Sequence, residues 1–426
     1  MISKKGYRAY NLYFSLMQKS WILTALINFL IAALLGLLLR YQFVNTLDIN
    51  FRYVTHAHSH VAMLGWIYLM LYAFLTYYFV PEKKLIYTRL FWITQFAVIG
   101  MMLSFPFQGY AAISISFSTL HIFCSYYFVK LLWKDLRTKE LSERLLLKAS
   151  LLFMLLSTIG VWCLGPAVAT LGSQSAFYNI AIQFFLHFQF NGWFLFAVLA
   201  VLFKFFHLSG VKTNPKDFKL FFKLLVIATI LTVALPISWY ISHSVFLWIN
   251  ASGILLQLIA AIIFIKLMKS QWTFFWSKMS GLAKLMIGFA FICLILKTGM
   301  QSTSLLPEIA ALSAQIRNFV IGFIHLLMLG VISGFLLAYL FESPLVNLKC
   351  TWLKYGTGSF LLGFITTEIL LFIQGGMFYF GSGMISNYYL ALFVFSGFLV
   401  LGILFIALSV LRTNHPGSKT IVEEPD

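Results

Sequence analysis

HAHSHVAMLGW at residues 56–66, HFQFNGW at 187–193 and HLLMLGV at 325–331 repeat one pattern, a histidine five residues before a glycine. Each copy lies inside an apolar segment of membrane-spanning length. An imidazole in hydrocarbon costs free energy unless it is hydrogen-bonded, paired or ligated, so buried histidines of this kind indicate function. His60 and His187 are 127 residues apart, and His187 and His325 are 138 apart. This spacing predicts a multi-helix unit that occurs three times.

The composition is typical of a membrane protein. Of 426 residues, 61% are hydrophobic and 10% are charged, and the mean hydropathy is +0.91. Apolar runs of about 20 residues, enough to cross about 30 Å of hydrocarbon, recur along the whole chain. These features predict an all-α polytopic membrane protein and do not fit a soluble domain.

The apolar runs predict twelve transmembrane helices in three pseudo-repeated four-helix units, at about 1–140, 141–270 and 271–415. The motif histidines fall on the second, sixth and tenth helices. We expect residues 1–426 to form a single integral membrane domain. The predicted spans are 21–44, 56–80, 85–108, 110–133, 146–170, 178–206, 219–242, 245–268, 281–302, 316–341, 355–377 and 387–411.

The distribution of basic residues predicts the orientation. The loops after the fourth, sixth and eighth spans are rich in Lys and Arg, whereas those around residues 109, 174, 244 and 382 contain neither. By the positive-inside rule, both termini are expected in the cytoplasm, as in a multi-pass protein of the inner (plasma) membrane. The first helix is predicted to be retained and not cleaved as a signal peptide, and residues 412–426 to form a polar cytoplasmic tail.

The distribution of charge indicates which class of partner the protein binds. The formal net charge of +18 is spread over separate loops, so it suits the headgroups of a lipid bilayer and not nucleic acid, which requires one basic stripe.

The chain has four cysteines, with no close pair and no C-x-x-C-H motif. Neither a disulfide nor a covalently attached haem is therefore predicted.

Three histidines cluster at the start of the second span. Residues four apart share a helix face, so His56 and His60 are predicted to point one way and His58 roughly the opposite way. Only some of the three can ligate one centre, and the sequence leaves open which. For His56, a hydrogen-bonding role at the membrane surface is the alternative to metal ligation.

Two neutral imidazoles from neighbouring helices are a standard axial pair for a low-spin haem iron, and His60 and His325 are the predicted pair for haem b. Arg52 and Arg317 each precede their histidine by eight residues, about 12 Å of helix, which suits the anionic haem propionates. The alternatives are histidines that hydrogen-bond in the core and arginines that snorkel to the interface.

Other polar residues at depth are weaker candidates. His187 is a candidate ligand of copper or of a second haem, or a hydrogen-bonding residue within the bundle, because imidazole suits copper and iron alike. His243, before the eighth span, is a further candidate metal ligand. Ionisable residues within spans, here Glu368 and Lys297, often mark proton or ion pathways. The alternatives are that Lys297 snorkels outward and that Glu368 pairs inside the bundle.

Topology and motifs together resemble the haem-copper oxidase superfamily, the catalytic subunits of terminal oxidases and nitric oxide reductases. The segment HSHVAMLGW at 58–66 is similar to the His-x-His-x4-Gly-Trp pattern on helix ten of C-type members, and FIH at 323–325 with Gly330 shares its spacing. The second-span pattern also looks like that of a smaller haem- and copper-containing membrane family linked to nitric oxide tolerance.

The resemblance implies twelve helices in three pseudo-symmetric arcs, with haem and copper ligands on helices two, six, seven and ten. It makes His60 or His58 and His325 the low-spin haem ligands, and it places His187 where a copper ligand stands. These roles are implied by the family and not by the spacing of the residues alone.

Three positions depart from the family pattern. Phe323 stands at the position of the high-spin haem ligand, and His243 is alone where the family has a histidine pair. Asn191 replaces the cross-linked tyrosine of many oxidases. We therefore expect an incomplete binuclear centre.

The sequence thus favours a haem-binding membrane protein in electron transfer or in nitric oxide or oxygen handling. An electron donor or respiratory-complex subunits are the expected partners. The alternatives are a transporter or channel with a histidine-lined polar path, and a cofactor-free subunit of a respiratory complex. Whether the protein is an oxidoreductase of the haem-copper type is left open by the sequence.

Overall fold

The computed structural model describes residues 19–81, 84–269 and 272–413. Within these ranges there are twelve helices long and apolar enough to cross a membrane and no strand, which confirms the predicted all-α polytopic fold. The N-terminal residues and positions 414–426 of the predicted tail lie outside the described ranges. The spans are α1 (Lys19–Tyr41), α2 (Phe51–Phe79), α3 (Leu85–Gln108), α4 (Ala112–Asp135), α5 (Leu141–Leu171), α6 (Ala176–Leu208), α7 (Pro215–Ser238), α8 (Ser244–Lys269), α9 (Gly281–Thr303), α10 (Arg317–Phe341), α11 (Thr351–Tyr379) and α12 (Tyr388–Arg412).

Several predicted helix starts are late, and those of the second and fifth spans are late by five residues. The second span was expected from residue 56 and begins at Phe51, and the fifth was expected from 146 and begins at Leu141. In α2 the reason is capping: the side chain of Asn50 accepts a hydrogen bond from the backbone N–H of Tyr53 and satisfies a free donor of the first turn. Hydropathy does not detect such a polar first turn.

Three helices form the centre of the bundle. Buried residues make up 83% of the most apolar stretch of α2 and of α6 and 67% of that of α10, against 33 to 50% in the other nine described spans. A span whose surface is mostly buried is surrounded by other helices and not by lipid. The motif-bearing helices are therefore the central ones.

The two ends of the described chain meet. The ammonium group of Lys19 at the start of α1 donates hydrogen bonds of 2.8 Å to the carbonyl oxygens of Leu411 and Thr413 at the end of α12. This contact puts residues 19 and 413 at the same end of the bundle. The ends at which α2, α6 and α10 begin lie opposite, because those helices run antiparallel to α1.

Each motif histidine is followed by a local change in helix geometry. Seven-residue π-helical segments begin directly after His60, His187 and His325, at Val61–Ile67, Phe188–Phe194 and Leu326–Ile332. Single π-helical turns inside longer helices are rare, and those that do occur are often found at functional sites. The sequence motif thus corresponds to one repeated backbone feature.

The motif glycines let each central helix pack closely on the helix that precedes it. A Cβ atom on Gly65 would lie 3.0 Å from Cβ of Asn28 on α1, and one on Gly192 would lie 2.7 Å from Cβ of Phe153 on α5. One on Gly330 would lie 2.8 Å from Sγ of a cysteine on α9. Equivalent contacts therefore occur at α1–α2, α5–α6 and α9–α10. Equivalence of the complete four-helix units stays a prediction.

Candidate functional site

The candidate site lies where the central helices begin. Within Arg317–His325 of α10 only Gly322 is buried, whereas all nine residues of Ser333–Phe341 are buried. In α6, two residues of Ala176–His187 are buried and eleven of Leu195–Leu208 are. The central helices thus expose surface in their first halves, which we call the open half of the bundle. There a ligand can reach side chains at depth.

His58 and His325 both lie in the open half. The two imidazoles lie within range of electrostatic interaction with each other. The Nδ1 atom of His58 is 2.8 Å from the carbonyl oxygen of Ala32 on α1, and a Cβ on Gly36 would lie 2.9 Å from Cε1 of the ring. An Nδ1–H bonded to a carbonyl leaves Nε2 free, as in most metal-ligating histidines.

His325 is accessible and has an acidic neighbour. Its side chain keeps 27% of its surface accessible, although it is the ninth residue of a central helix. Oε1 of Glu368 on α11 lies 3.8 Å from its Nδ1 atom, and neither oxygen of this carboxylate has a hydrogen-bond partner among the described residues. Buried carboxylate oxygens are normally bonded, so the position of Glu368 beside an imidazole indicates a role with that ring.

His60 and His56 face the other way. The Nδ1 atom of His60 is 2.8 Å from the carbonyl oxygen of His56, and its Nε2 atom is 3.3 Å from the hydroxyl of Tyr110. The rings of both histidines pack against Phe105 and Tyr110. The predicted division of faces is confirmed. His325 interacts electrostatically with His58. Haem ligation by His60, or by His58, together with His325 stays a prediction.

The predicted arginines lie at the mouth of the open half. Arg52 and Arg317 are exposed. The guanidinium of Arg317 lies over the ring of Phe51 at 5.6 Å from its centroid, which joins the first residues of α10 and α2. Deeper in the bundle, Trp66 Nε1 donates a 2.8 Å hydrogen bond to the hydroxyl of Ser333, so α2 and α10 also meet below the site.

Arg40 is a site residue that the sequence did not reveal. It lies at the end of α1 and is within electrostatic range of Glu368, Arg317 and Tyr388. Tyr388 in turn accepts a 2.8 Å hydrogen bond from the amide nitrogen of Asn318. An arginine in the last turn of a span is ordinarily read as snorkelling. The one sequence feature that could have pointed to Arg40 was its position inside the predicted span 21–44.

His187 has a different environment. It is buried, and its Nε2 atom lies 2.7 Å from the carbonyl oxygen of Thr229 on α7. This bond occupies the nitrogen that His58 leaves free. The observed role of His187 is a link between α6 and α7, and only Nδ1 remains for a metal.

His243 lies outside the helices. It is exposed, and its Nδ1 atom accepts a 3.1 Å hydrogen bond from the backbone N–H of Val245 in the first turn of α8. Its observed role is therefore to satisfy a free donor at a helix start. Among the described residues, no three His, Cys, Asp or Glu side chains gather as one metal ion would require. The residues predicted to bind copper are not brought together.

Comparison with known proteins leaves the function to be argued from the site. No protein-family model matches this chain, and no curated protein matches it either. The relationship to haem-copper oxidases stays a prediction from the motifs and the twelve-helix plan.

Proposed function

We propose that this protein binds a b-type haem in the open half, with His58 of α2 and His325 of α10 as axial ligands, and that it transfers electrons. The observation that carries the proposal is the electrostatic interaction of these two imidazoles, which lie on central helices joined by the Trp66–Ser333 hydrogen bond. Two neutral imidazoles from different helices are a standard ligand pair for haem iron.

The surroundings of the two rings fit the group. The Ala32 carbonyl holds the tautomer of His58 that presents Nε2, and Gly36 leaves room for the ring. The guanidinium groups of Arg40 and Arg317 are within electrostatic range of each other and would pair with the haem propionates.

The ligand set favours electron transfer. A bound haem would supply one-electron redox chemistry, and His58 and His325 would both hold its iron, which favours electron transfer. Copper is not part of the proposal, because no cluster of ligands for it forms among the described residues.

We propose the inner (plasma) membrane as the location, with both termini cytoplasmic and the open half facing outward. The basic loops support this orientation. An electron donor or a respiratory-complex subunit would then approach from outside. A single cysteine at Ser382, in a cysteine-free background, should react with an impermeant maleimide in whole cells, whereas one at Lys139 should not.

A visible absorption spectrum of the purified protein tests the haem proposal. Reduction with dithionite should give sharp Soret and alpha bands of a bis-histidine haem b. His58→Ala and His325→Ala should each abolish these bands, and His60→Ala, which removes an imidazole of the opposite face, should retain them.

The controls separate the possible failures. A colourless wild-type preparation with normal assembly would contradict haem binding and would favour a transporter or a cofactor-free subunit. Bands that disappear in His60→Ala and persist in His58→Ala would keep haem binding and overturn the ligand assignment.

A further inference from the structure

A buried lysine in α9 has no counter-ion among the residues that the structure describes. Lys297 is 2% exposed, and its ammonium donates one hydrogen bond of 2.7 Å to Oε1 of Gln301. The same ammonium lies 6.0 Å from the ring centroid of Phe323 on α10. In the described part of the chain it forms no ion pair. An ammonium has three donors, so two of them remain for another partner.

Polar side chains connect this lysine with the end of the bundle where α10 begins. Nε2 of Gln257 on α8 donates a 3.3 Å hydrogen bond to Oε1 of Gln301, and Asn250 donates a 3.1 Å bond to Ser304. Oδ1 of Asn250, which is fully buried, has no partner among the described residues. We call Asn250, Gln257, Lys297, Gln301 and Ser304 the polar seam.

The polar seam follows from helix periodicity. Lys297, Gln301 and Ser304 are spaced i, i+4, i+7 on one face of α9, and Asn250 and Gln257 are seven residues apart on one face of α8. Seven residues span about 10 Å of helix, so the seam reaches from the end of α9 to the depth of Lys297. Polar residues on facing helices within a membrane are costly unless they bind each other, water or a ligand.

We propose that a small inorganic anion enters along the polar seam and binds at Lys297. The ammonium supplies a compact positive charge, and the amide nitrogen of Gln301, whose oxygen is occupied by Lys297 and Gln257, supplies an adjacent donor. His187 is also within electrostatic range of this ammonium. A cation would be repelled at the same position. The site is independent of His58 and His325 and does not require haem.

Nitrate is the probe for the first test. Purified protein in potassium gluconate is titrated with potassium nitrate at constant ionic strength, and thermal unfolding is followed by tryptophan fluorescence. Because a ligand that binds only the folded state raises its stability, the unfolding temperature should rise by several degrees, in proportion to the logarithm of the nitrate concentration above the dissociation constant. Lys297→Met should abolish the rise. Lys349→Gln, which removes a charge from an exposed loop, should retain it.

Direct binding provides the second test, since Lys297→Met can alter the baseline stability. Equilibrium dialysis with radioactive chloride should give saturable binding to the wild type. Binding should be at least tenfold weaker in Gln301→Leu, which keeps the lysine. A wild type without saturable binding, or a Lys297→Met variant that binds as the wild type does, overturns the proposal. Neither measurement depends on haem, so failure of the anion proposal can be distinguished from failure of the haem proposal.

Discussion

The Nδ1 atom of His325 lies 3.8 Å from Oε1 of Glu368, across the contact between α10 and α11. This separation is slightly beyond hydrogen-bond distance, and both carboxylate oxygens lack partners among the described residues. A small shift of either side chain would make the bond. Carboxylates that accept the Nδ1–H of a ligating histidine fix its orientation and raise its basicity. In the proposed haem site, Glu368 would therefore position the ring of His325.

Replacement of this carboxylate should change the haem potential. An amide polarises Nδ1–H less than a carboxylate does, so in the haem-loaded protein Glu368→Gln should favour the reduced iron. We expect the midpoint potential to rise by on the order of 50 mV, close to the 59 mV of a tenfold change for one electron. Potentiometric titration of the alpha band measures it. Glu342→Gln, which removes a carboxylate bonded to Ser280, is the control, and an equal shift in both variants would contradict the role.

The two candidate propionate partners on the α1–α2 side should differ. Arg40 interacts electrostatically with Glu368 and Arg317, whereas Arg52 is exposed at the mouth. Arg40→Gln should lower the haem content per protein severalfold, and Arg52→Gln should lower it little, because exposed charges are screened. The pyridine haemochrome assay gives the content. Equal losses of haem in the two variants would show that Arg40 contributes no more to haem binding than Arg52 does.

The motif glycines should be required for packing. In Gly330→Ala the new Cβ would lie 2.8 Å from Sγ of Cys293 and 2.9 Å from Cζ of Phe364. Overpacking of this kind costs about 1–3 kcal/mol, so the unfolding temperature should fall. Gly397→Ala in α12 meets no atom within 4 Å and should leave stability unchanged or raise it by about 1 kcal/mol, the helix-propensity gain. A similar fall in both variants would argue against close packing at the motif.

A buried ion-pair cluster should stabilise the end opposite to the open half. The carboxylate of Glu143 on α5 is fully buried and pairs with Lys204 at 3.3 Å and with His207 at 3.2 Å. Thr138 donates a further hydrogen bond to it. Because the side chain of Lys204 is only 15% exposed, Glu143→Leu should cost about 3 kcal/mol by leaving a largely buried ammonium unpaired.

The double variant tests that explanation. Glu143→Leu combined with Lys204→Met removes both charges, so it should recover most of the lost stability. Thermal unfolding of the single and double variants gives the coupling energy. If the stability lost in the double variant equals the sum of the losses in the two single variants, the pair does not act as proposed.

Much of the fold could be predicted because the information is local. A helix that crosses hydrocarbon needs about 20 apolar residues in a row, and twelve such runs are visible in the chain. The third predicted span, 85–108, has the same bounds as α3. The late start predicted for α2 came from its polar first two turns. There Arg52 and His56 lower the hydropathy of a segment whose helix is capped by Asn50.

The site could be predicted only in part. The motif histidines do mark the central helices, and a π-helical segment follows each of them. Arg40 and Glu368 were not assigned to one site, because they come from α1 and α11 and are 328 residues apart. The predicted partner of His325 was His60, with His58 as the alternative, and nothing local distinguishes the two.

By itself, the sequence determined that the chain forms a twelve-helix membrane bundle and which helices carry imidazoles at depth, since apolar length and histidine position are read along the chain. Only the tertiary structure decided which imidazole of α2 lies near α10. Residues 58 and 60 are separated by about 200° around a helix, so they face different neighbours. Helix packing, which depends on contacts such as those of Gly36 and Phe105, turns His58 toward α1 and His325 and turns His60 toward α3.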